Sequence, residues 1–384
     1  MGKNEWKIPL YKIYSDDEDI ELISKIIKRG TKWALGPEIE EFEYELKNYV
    51  GTDYCLTVNS GTSALHATLL AYGIGKGDNV IVPSFSFIAT ANSIFFVNAE
   101  PNFADIEYST MGLDPNSVKS IINQNTKAIV PVDVAGTSCK IFEMKEIAEA
   151  NNLVLIEDAA ESLGSTIKNK KVGSISDSSI FSFCGNKVLT TGEGGAIVTN
   201  SKEIYEKIKL IRSHGRQDIV DYFDNPLQSE YYGIGYNWRM STITAALGLS
   251  QLKKLDHIIK LRQENAKFIS DKLSKYKEII TPKANDESNH IFQMYTILLP
   301  NQHIRDKLHK FLLEKKIFSK VYFNPIHKTK FYKEKYPNIN ERLKQTNSLS
   351  SQVLTLPLYP NMTNEEKRYL VESVAEFFEI NRKN

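Results

Sequence analysis

Cysteine is sparse in this chain. Cys55, Cys139 and Cys184 are the only three in 384 residues, and they lack the paired spacing of a zinc site or a disulfide framework. No metal is expected, and a reducing cytoplasm fits. Long apolar runs are missing too: none approaches the roughly 20 residues that span a bilayer. The opening Met1-Gly2-Lys3-Asn4-Glu5-Trp6 lacks a signal core, and Trp6 stands where an acylation motif beginning Met-Gly requires Ser or Thr. The expectation is a soluble, cytoplasmic protein with no membrane partner. Excess charge is also absent, since 48 Lys plus Arg face 47 Asp plus Glu for a formal net charge of +1. No overall field draws nucleic acid, so any anionic ligand must be held locally.

What is present is ordinary globular material, 41% hydrophobic and 25% charged. The length suits a large domain, expected over 1–250, followed by a connecting helix and a smaller α+β domain over 251–384. Residues 16–29 carry Ile20, Ile23 and Ile27 at helical spacing behind a Ser15 or Asp16 cap. A second helix is expected from about Glu38 to Val50. Short apolar runs at Tyr54–Val58, Asn79–Pro83, Ala99–Ala104, Ala128–Val134 and Leu153–Ile156 alternate with helical stretches, which predicts a mainly parallel sheet flanked by helices. One long helix is expected from Thr242 to about Lys275. Beyond it, Glu278–Pro282, Gln293–Leu299, Phe318–Tyr322 and Val353–Leu356 read as strands and Asn364–Ile380 as a terminal helix.

Three stretches carry chemistry. Asn59-Ser60-Gly61-Thr62-Ser63-Ala64-Leu65 joins a strand to a helix through Gly and small hydroxyls, the form of a phosphate cradle at a helix N-terminus. The same residues would serve equally as a plain helix cap. Glu157 and Asp158 stand at the exit of a buried strand, where ligands collect in open α/β sheets. Asp158 suits the protonated nitrogen of a pyridine ring, or a helix N-cap. Lys187 lies between two β-rich runs in Cys184-Gly185-Asn186-Lys187-Val188-Leu189-Thr190-Thr191-Gly192. A lysine amine shielded from water loses its proton more readily and attacks carbonyls. Together the three match the aldehyde, ring nitrogen and phosphate of pyridoxal phosphate. Phe87, after the Asn79–Pro83 strand, is placed to cover a flat heterocycle or to fill the core. Asn237 and Arg239 precede a helix start and can face an anion.

These blocks, with Glu157-Asp158-Ala159-Ala160-Glu161, Ser182-Phe183-x-Gly185-Asn186-Lys187, Gly192-Glu193-Gly194-Gly195 and Gly235-Tyr236-Asn237-Trp238-Arg239-Met240, occur in the order found in the DegT/DnrJ-type sugar aminotransferases, which the chain resembles from Trp33 to Pro360. The resemblance implies a fold-type-I transferase with Lys187 as the Schiff-base lysine and proton shuttle. It also implies Asp158 on the pyridine nitrogen, Phe87 stacked on the ring and Glu161 near the ring hydroxyl. Gly61, Thr62, Ser63 and Ser182 would hold the phosphate, with Asn237 reaching in from a neighbouring subunit of a homodimer. Glu161, at a place often Gln or His, looks more like the branch acting on GDP- or UDP-linked 4-keto-6-deoxyhexoses, such as perosamine synthases. Ser319-x-x-Tyr322-Phe323-x-Pro325-x-His327 resembles the substrate-side loop, giving His327 as a substrate-binding residue; Arg239 is expected to hold a substrate carboxylate or phosphate on its charge and position alone. Asp133 departs from the family's usual His, and Phe323 from a common Tyr.

The implied reaction moves the amine of L-glutamate to a nucleotide-linked keto-sugar. One rival is a dehydratase branch that replaces the lysine with His, against which Lys187 counts. The other is a non-catalytic regulator that binds the cofactor or a sugar nucleotide.

Overall fold

The computed structural model describes residues 6–217, 229–283 and 287–383. Five strands follow one another with helices between them: β1 (Tyr54–Val58), β2 (Asn79–Pro83), β3 (Glu100–Ala104), β4 (Thr126–Ile129) and β5 (Val154–Asp158). A two-residue pair, β6 (Thr166–Ile167) and β7 (Lys170–Lys171), precedes β8 (Ser178–Ser182) and β9 (Gly195–Thr199). The seven longer strands form one sheet in the order β1-β9-β8-β5-β4-β2-β3. The pairs from β8 through β3 are parallel, and β9 runs antiparallel to both its neighbours. Runs such as Val80-Ile81-Val82 and Leu155-Ile156 are fully buried because helices cover both faces, which is why they read as continuous apolar stretches rather than alternating ones.

The register brings chemistry to one end of the sheet. Gly195, the first residue of β9, lies opposite both Val58, the last of β1, and Ser182, the last of β8. Asp158, the last of β5, pairs with Ile180 of β8. The helix Gly61–Ala71 therefore starts beside the exits of β1 and β8.

Away from the main sheet, β10 (Ser288–Asn289) adds to β6, while β11 (Tyr295–Leu298) and β12 (Val353–Leu356) pair antiparallel. The terminal helix Asn364–Lys383 and the helices Leu255–Leu273 and Gln302–Glu314 bury Leu273, Leu308, Leu312 and Leu370 with Tyr295, Leu354 and Leu356 in a core of their own. These residues pack as a core apart from that of the main sheet, and the expected boundary at residue 250 does not separate the two cores. Ile8, from the N-terminal segment, packs in the small core. Ile326, Tyr332 and Leu343, far beyond residue 250, pack in the core of the large sheet beside Val82 and Phe103. The chain crosses between the two bodies more than once, a crossing that composition along the sequence does not register.

The expected single long helix is also two: Thr242–Lys253 and Leu255–Leu273. No Pro or Gly marks the junction. Lys254 sits there with its amine 2.5 Å from Asp16 and 2.9 Å from Asp19, tying the first helix, Asp17–Arg29, to this corner. Of the expected later strands, 278–282 and 318–322 reduce to the single bridges Ile280–Leu298 and Lys320–Thr355. No helix among the described residues is long and apolar enough to cross a membrane.

Candidate active site

Lys187 occupies the loop joining β8 to β9. That loop is closed by Phe183 N–H donating to the Gly194 carbonyl, Thr191 N–H to Phe183 and Lys187 N–H to Cys184. The Lys187 Nζ stands 3.3 Å from Glu161 Oε1, with only 14% of the lysine side chain exposed. Glu161 is held in turn by the Ala135 N–H, which donates to its Oε2 at 3.0 Å. A cation and an anion in so sheltered a place orient each other more firmly than a surface pair.

Asp158 is 3% exposed and accepts from Thr90 Oγ1 at 2.7 Å and from Ala160 N–H at 3.3 Å. Burial pushes its carboxyl above the usual carboxylate range, and the bonds from Thr90 and Ala160 and the charge of Lys187 oppose that rise. Such a group gains when a protonated nitrogen is brought to it. Phe87 is one turn before Thr90, whose N–H donates to the Phe87 carbonyl. Phe85 goes into the core, whereas Phe87 stays 61% exposed, a large ring held outside the packing two residues from a buried neighbour.

The cradle divides its labour. Ser60 is the N-cap of Gly61–Ala71: its Oγ accepts from Ser63 N–H at 3.1 Å, and the Ser63 hydroxyl donates to Asn59 at 2.7 Å. Ser63 is thus engaged inside the cap itself, while the amides of Gly61 and Thr62 fall in the first helical turn, where no intrahelical acceptor exists. A Cβ on Gly61 would come 2.9 Å from the Cβ of Ser182, and one on Gly195 would lie 2.6 Å from the Ser60 carbonyl carbon and 2.7 Å from the Gly61 nitrogen. Only glycine lets β9 pass this close to the cap. The donors of Gly61 and Thr62, the hydroxyl of Ser182, the carboxylate of Asp158 and the amine of Lys187 fit the phosphate, pyridine nitrogen and aldehyde of pyridoxal phosphate.

Asn237 is exposed, its backbone laddered to Ser213 and its carbonyl 3.5 Å from Asn59 Nδ2. Arg239 bridges Val58 through its backbone and donates from Nη1 to Ser213 Oγ at 3.1 Å. It borders a cleft of about 810 Å³, which also takes in Arg29, Lys32, Lys47, Lys209 and Arg212. Lys187 does not line that cleft. The case for the cluster around Lys187 rests on charge and donors rather than on volume.

His327 requires correction as a substrate ligand. It is 2% exposed, with Nδ1 on Ser84 Oγ at 2.7 Å and Nε2 shared between Asn340 and Asn347 at 3.2 Å. Both ring nitrogens are engaged by the protein, and burial pushes its pKa down. Its place in the sequence motif is explained by the fold: it fastens the 326–347 segment to the end of β2.

Three contributors have no short-motif signal. Thr90 orients Asp158, and Ala135 orients Glu161. Gln293 clasps both sides of the lysine: its Oε1 accepts from Val188 N–H and its Nε2 donates to the Asn186 carbonyl, each at 2.8 Å. Arg262, fully buried, donates to the carbonyls of Phe292 and Gln293 at 2.8 Å, and although burial pushes it down to about 10 it stays charged at neutral pH. Gln293→Ala strands an amide and a carbonyl beside Lys187 at ~1–3 kcal/mol for each buried group. The expected result is a roughly tenfold lower kcat with cofactor affinity changed far less, read from steady-state kinetics alongside a cofactor titration.

The fold and this cluster define an aminotransferase that uses pyridoxal phosphate. Residues 14–375 match the model of the DegT/DnrJ/EryC1/StrS aminotransferase family, and the chain belongs to that family. It is 34% identical over 371 residues to a GDP-perosamine synthase of Escherichia coli O157:H7, covering 97% of this chain and 98% of that protein. It is also 34% identical to the UDP-4-amino-4,6-dideoxy-N-acetyl-beta-L-altrosamine transaminase of Campylobacter jejuni, over 95% of this chain and 96% of the relative. The solved structure of Helicobacter pylori PseC, an aminotransferase involved in pseudoaminic acid biosynthesis, superposes with a TM-score of 0.89 at 31% identity, over 97% of this chain and 99% of that one.

Proposed function

We propose that this sugar aminotransferase carries the amine of L-glutamate to a nucleotide-linked keto-sugar, a GDP- or UDP-4-keto-6-deoxyhexose. The observation that carries the reading is the Lys187 amine 3.3 Å from Glu161, at the same strand exits as Asp158 and the Gly61 and Thr62 amides. The two relatives named for GDP- and UDP-linked sugars support the acceptor class.

Each residue then has a task. Gly61, Thr62 and Ser182 hold the cofactor's phosphate, and Phe87 covers its ring. Asp158 keeps the pyridine nitrogen protonated, and when bound the cofactor supplies the electron sink for the carbanion formed at the substrate carbon. Lys187 takes and returns the proton at that carbon, with Nζ aimed by Glu161. Gln293 and the loop closure keep the amine from drifting. In a homodimer, Asn237 and Arg239 face the neighbouring subunit's site, a reading supported by the exposed Tyr231, Tyr232, Ile234 and Tyr236 just before them. The cleft beside Arg239 is lined by seven Lys and Arg against three Asp and Glu, which suits a diphosphate.

The test is incubation of the protein with pyridoxal phosphate, L-glutamate and a panel of GDP- and UDP-linked keto-sugars, with products weighed by mass spectrometry. The expected product is an amino sugar nucleotide together with 2-oxoglutarate. 2-Oxoglutarate without an aminated sugar removes the acceptor assignment; neither product removes the donor.

A further inference from the structure

Behind Asp158 lies a second pair of acids that the reaction does not use. Asp133 and Glu157 are both completely buried. Glu157 Oε2 accepts from the Gly173 amide at 2.9 Å, the Ser179 hydroxyl at 2.8 Å and the Ser176 hydroxyl at 3.3 Å. Asp133 Oδ1 accepts from the Cys139 amide at 2.7 Å. The two remaining oxygens, Asp133 Oδ2 and Glu157 Oε1, meet no donor among the described residues, and the parallel bridge between Val132 and Asp158 sets Asp133 and Glu157 on the same face of neighbouring strands. No salt bridge among the described residues involves either acid.

Two bare carboxylates in contact in a site this dry would each lose solvation and repel the other. One proton between them replaces that repulsion with a hydrogen bond. Glu157 already receives three donors and is the better home for the negative charge, so the proton belongs on Asp133 Oδ2, which then donates to Glu157 Oε1. The titratable groups packed around the pair are the Cys139 thiol and the Asp158 carboxyl next along β5. Burial raises both, and neither supplies a positive charge.

We infer that Asp133 and Glu157 hold one shared proton at neutral pH, and that Asp133, so protonated, is a positioning residue for the Glu161–Lys187 contact. Asp133 closes the 133–139 loop through the Cys139 amide, and the Ser162 hydroxyl donates to its carbonyl at 3.1 Å. Its own N–H donates to the Asp158 carbonyl at 3.1 Å. The same loop presents the Ala135 amide to Glu161, from a left-handed backbone at φ +61°. A proton lost from the pair drives Asp133 from Glu157, and the displacement is delivered to Ala135 and Asp158 together.

Burial raises both groups above the carboxylate range; the charge of Glu157 adds to the rise at Asp133, whereas at Glu157 the bonds from Ser179, Asp133, Gly173 and Ser176 oppose it. In the unfolded chain both are ionised above about pH 5. The folded chain therefore binds one proton more, so stability falls as pH rises from there until the pair itself titrates. Asp133→Asn keeps both hydrogen bonds with no proton to lose, since its amide donates to Glu157 and its carbonyl accepts from Cys139.

Wild type and Asp133→Asn are unfolded in urea at matched protein concentration with saturating pyridoxal phosphate, from pH 6 to pH 9. The folded-to-unfolded ratio of wild type is expected to fall relative to the variant by about tenfold per pH unit, the signature of one proton. Infrared spectra at pH 7 are expected to show the carbonyl stretch of a protonated carboxylic acid that Asp133→Asn and Glu157→Gln each remove. In kinetics, Asp133→Asn keeps kcat within about threefold and extends its alkaline limb, whereas a purely structural role leaves the limb unmoved. Parallel stability profiles, or no acid band at pH 7, overturn the shared proton. An unchanged alkaline limb overturns the link to Glu161 and Lys187.

Discussion

Lys187→Ala is expected to lower sugar amination by at least about a thousandfold, because the variant loses its covalent hold on the cofactor and its proton carrier together. Nothing nearby replaces the amine. Among the groups around it, Glu161 is already engaged by Ala135, and Asp158 by Thr90 and Ala160. The fold should survive: Lys187 is part of a loop closed by backbone bonds from Phe183 and Thr191, and the Gln293 clasp grips the peptide groups of Asn186 and Val188 rather than the lysine side chain. Thermal melting close to that of wild type, with activity gone, is the expected pair of results. Borohydride reduction of wild type loaded with pyridoxal phosphate should leave a pyridoxyl label on the peptide containing Lys187, and the variant should carry none. A label elsewhere in wild type would falsify the assignment.

Asp158→Asn is expected to cost about a hundred- to thousandfold in kcat, the scale seen when one preorganised partner of developing charge is removed. The amide fills the same space and can accept from Thr90, so packing is preserved while the negative charge is lost. The accompanying pH behaviour separates charge from shape. Burial raises Asp158 in the cofactor-free protein, so acidification protonates it sooner than an ordinary aspartate. Cofactor affinity in wild type should therefore begin to fall at a higher pH than an exposed aspartate would give, as the partner of the ring nitrogen is neutralised. Asp158→Asn has no such group, and its weaker affinity should stay flat over the same range. An affinity in wild type that does not respond to acid, measured by fluorescence titration, removes Asp158 from the ring nitrogen.

Local rules made much of the chain legible in advance. The strand Asn79–Pro83 and the strand Tyr54–Val58 lie where their apolar runs put them, and the first helix starts behind the Asp16 cap that its sequence announces. The cradle, the acidic strand exit and the loop lysine were readable because each needs its special residues close together: Gly beside small hydroxyls, carboxylates at the end of a buried run, a lysine among turn formers. The motif with His327 was readable as a motif and misleading as a ligand set, since a histidine's partners here come from Ser84, Asn340 and Asn347, which only folding brings to it.

Sequence by itself settled the mainly parallel α/β architecture and the family, and it pointed to Lys187 as the candidate amine, because hydrophobic period, turn chemistry and short spacings are written between neighbours. Tertiary structure alone decided that Thr90 answers to Asp158, that Gln293 reaches over a hundred positions to grip both sides of Lys187, and that Asp133 and Glu157 are both fully buried on neighbouring strands. Those pairings depend on strand order, and strand order is fixed by how whole faces bury against one another, a property no window of the chain contains.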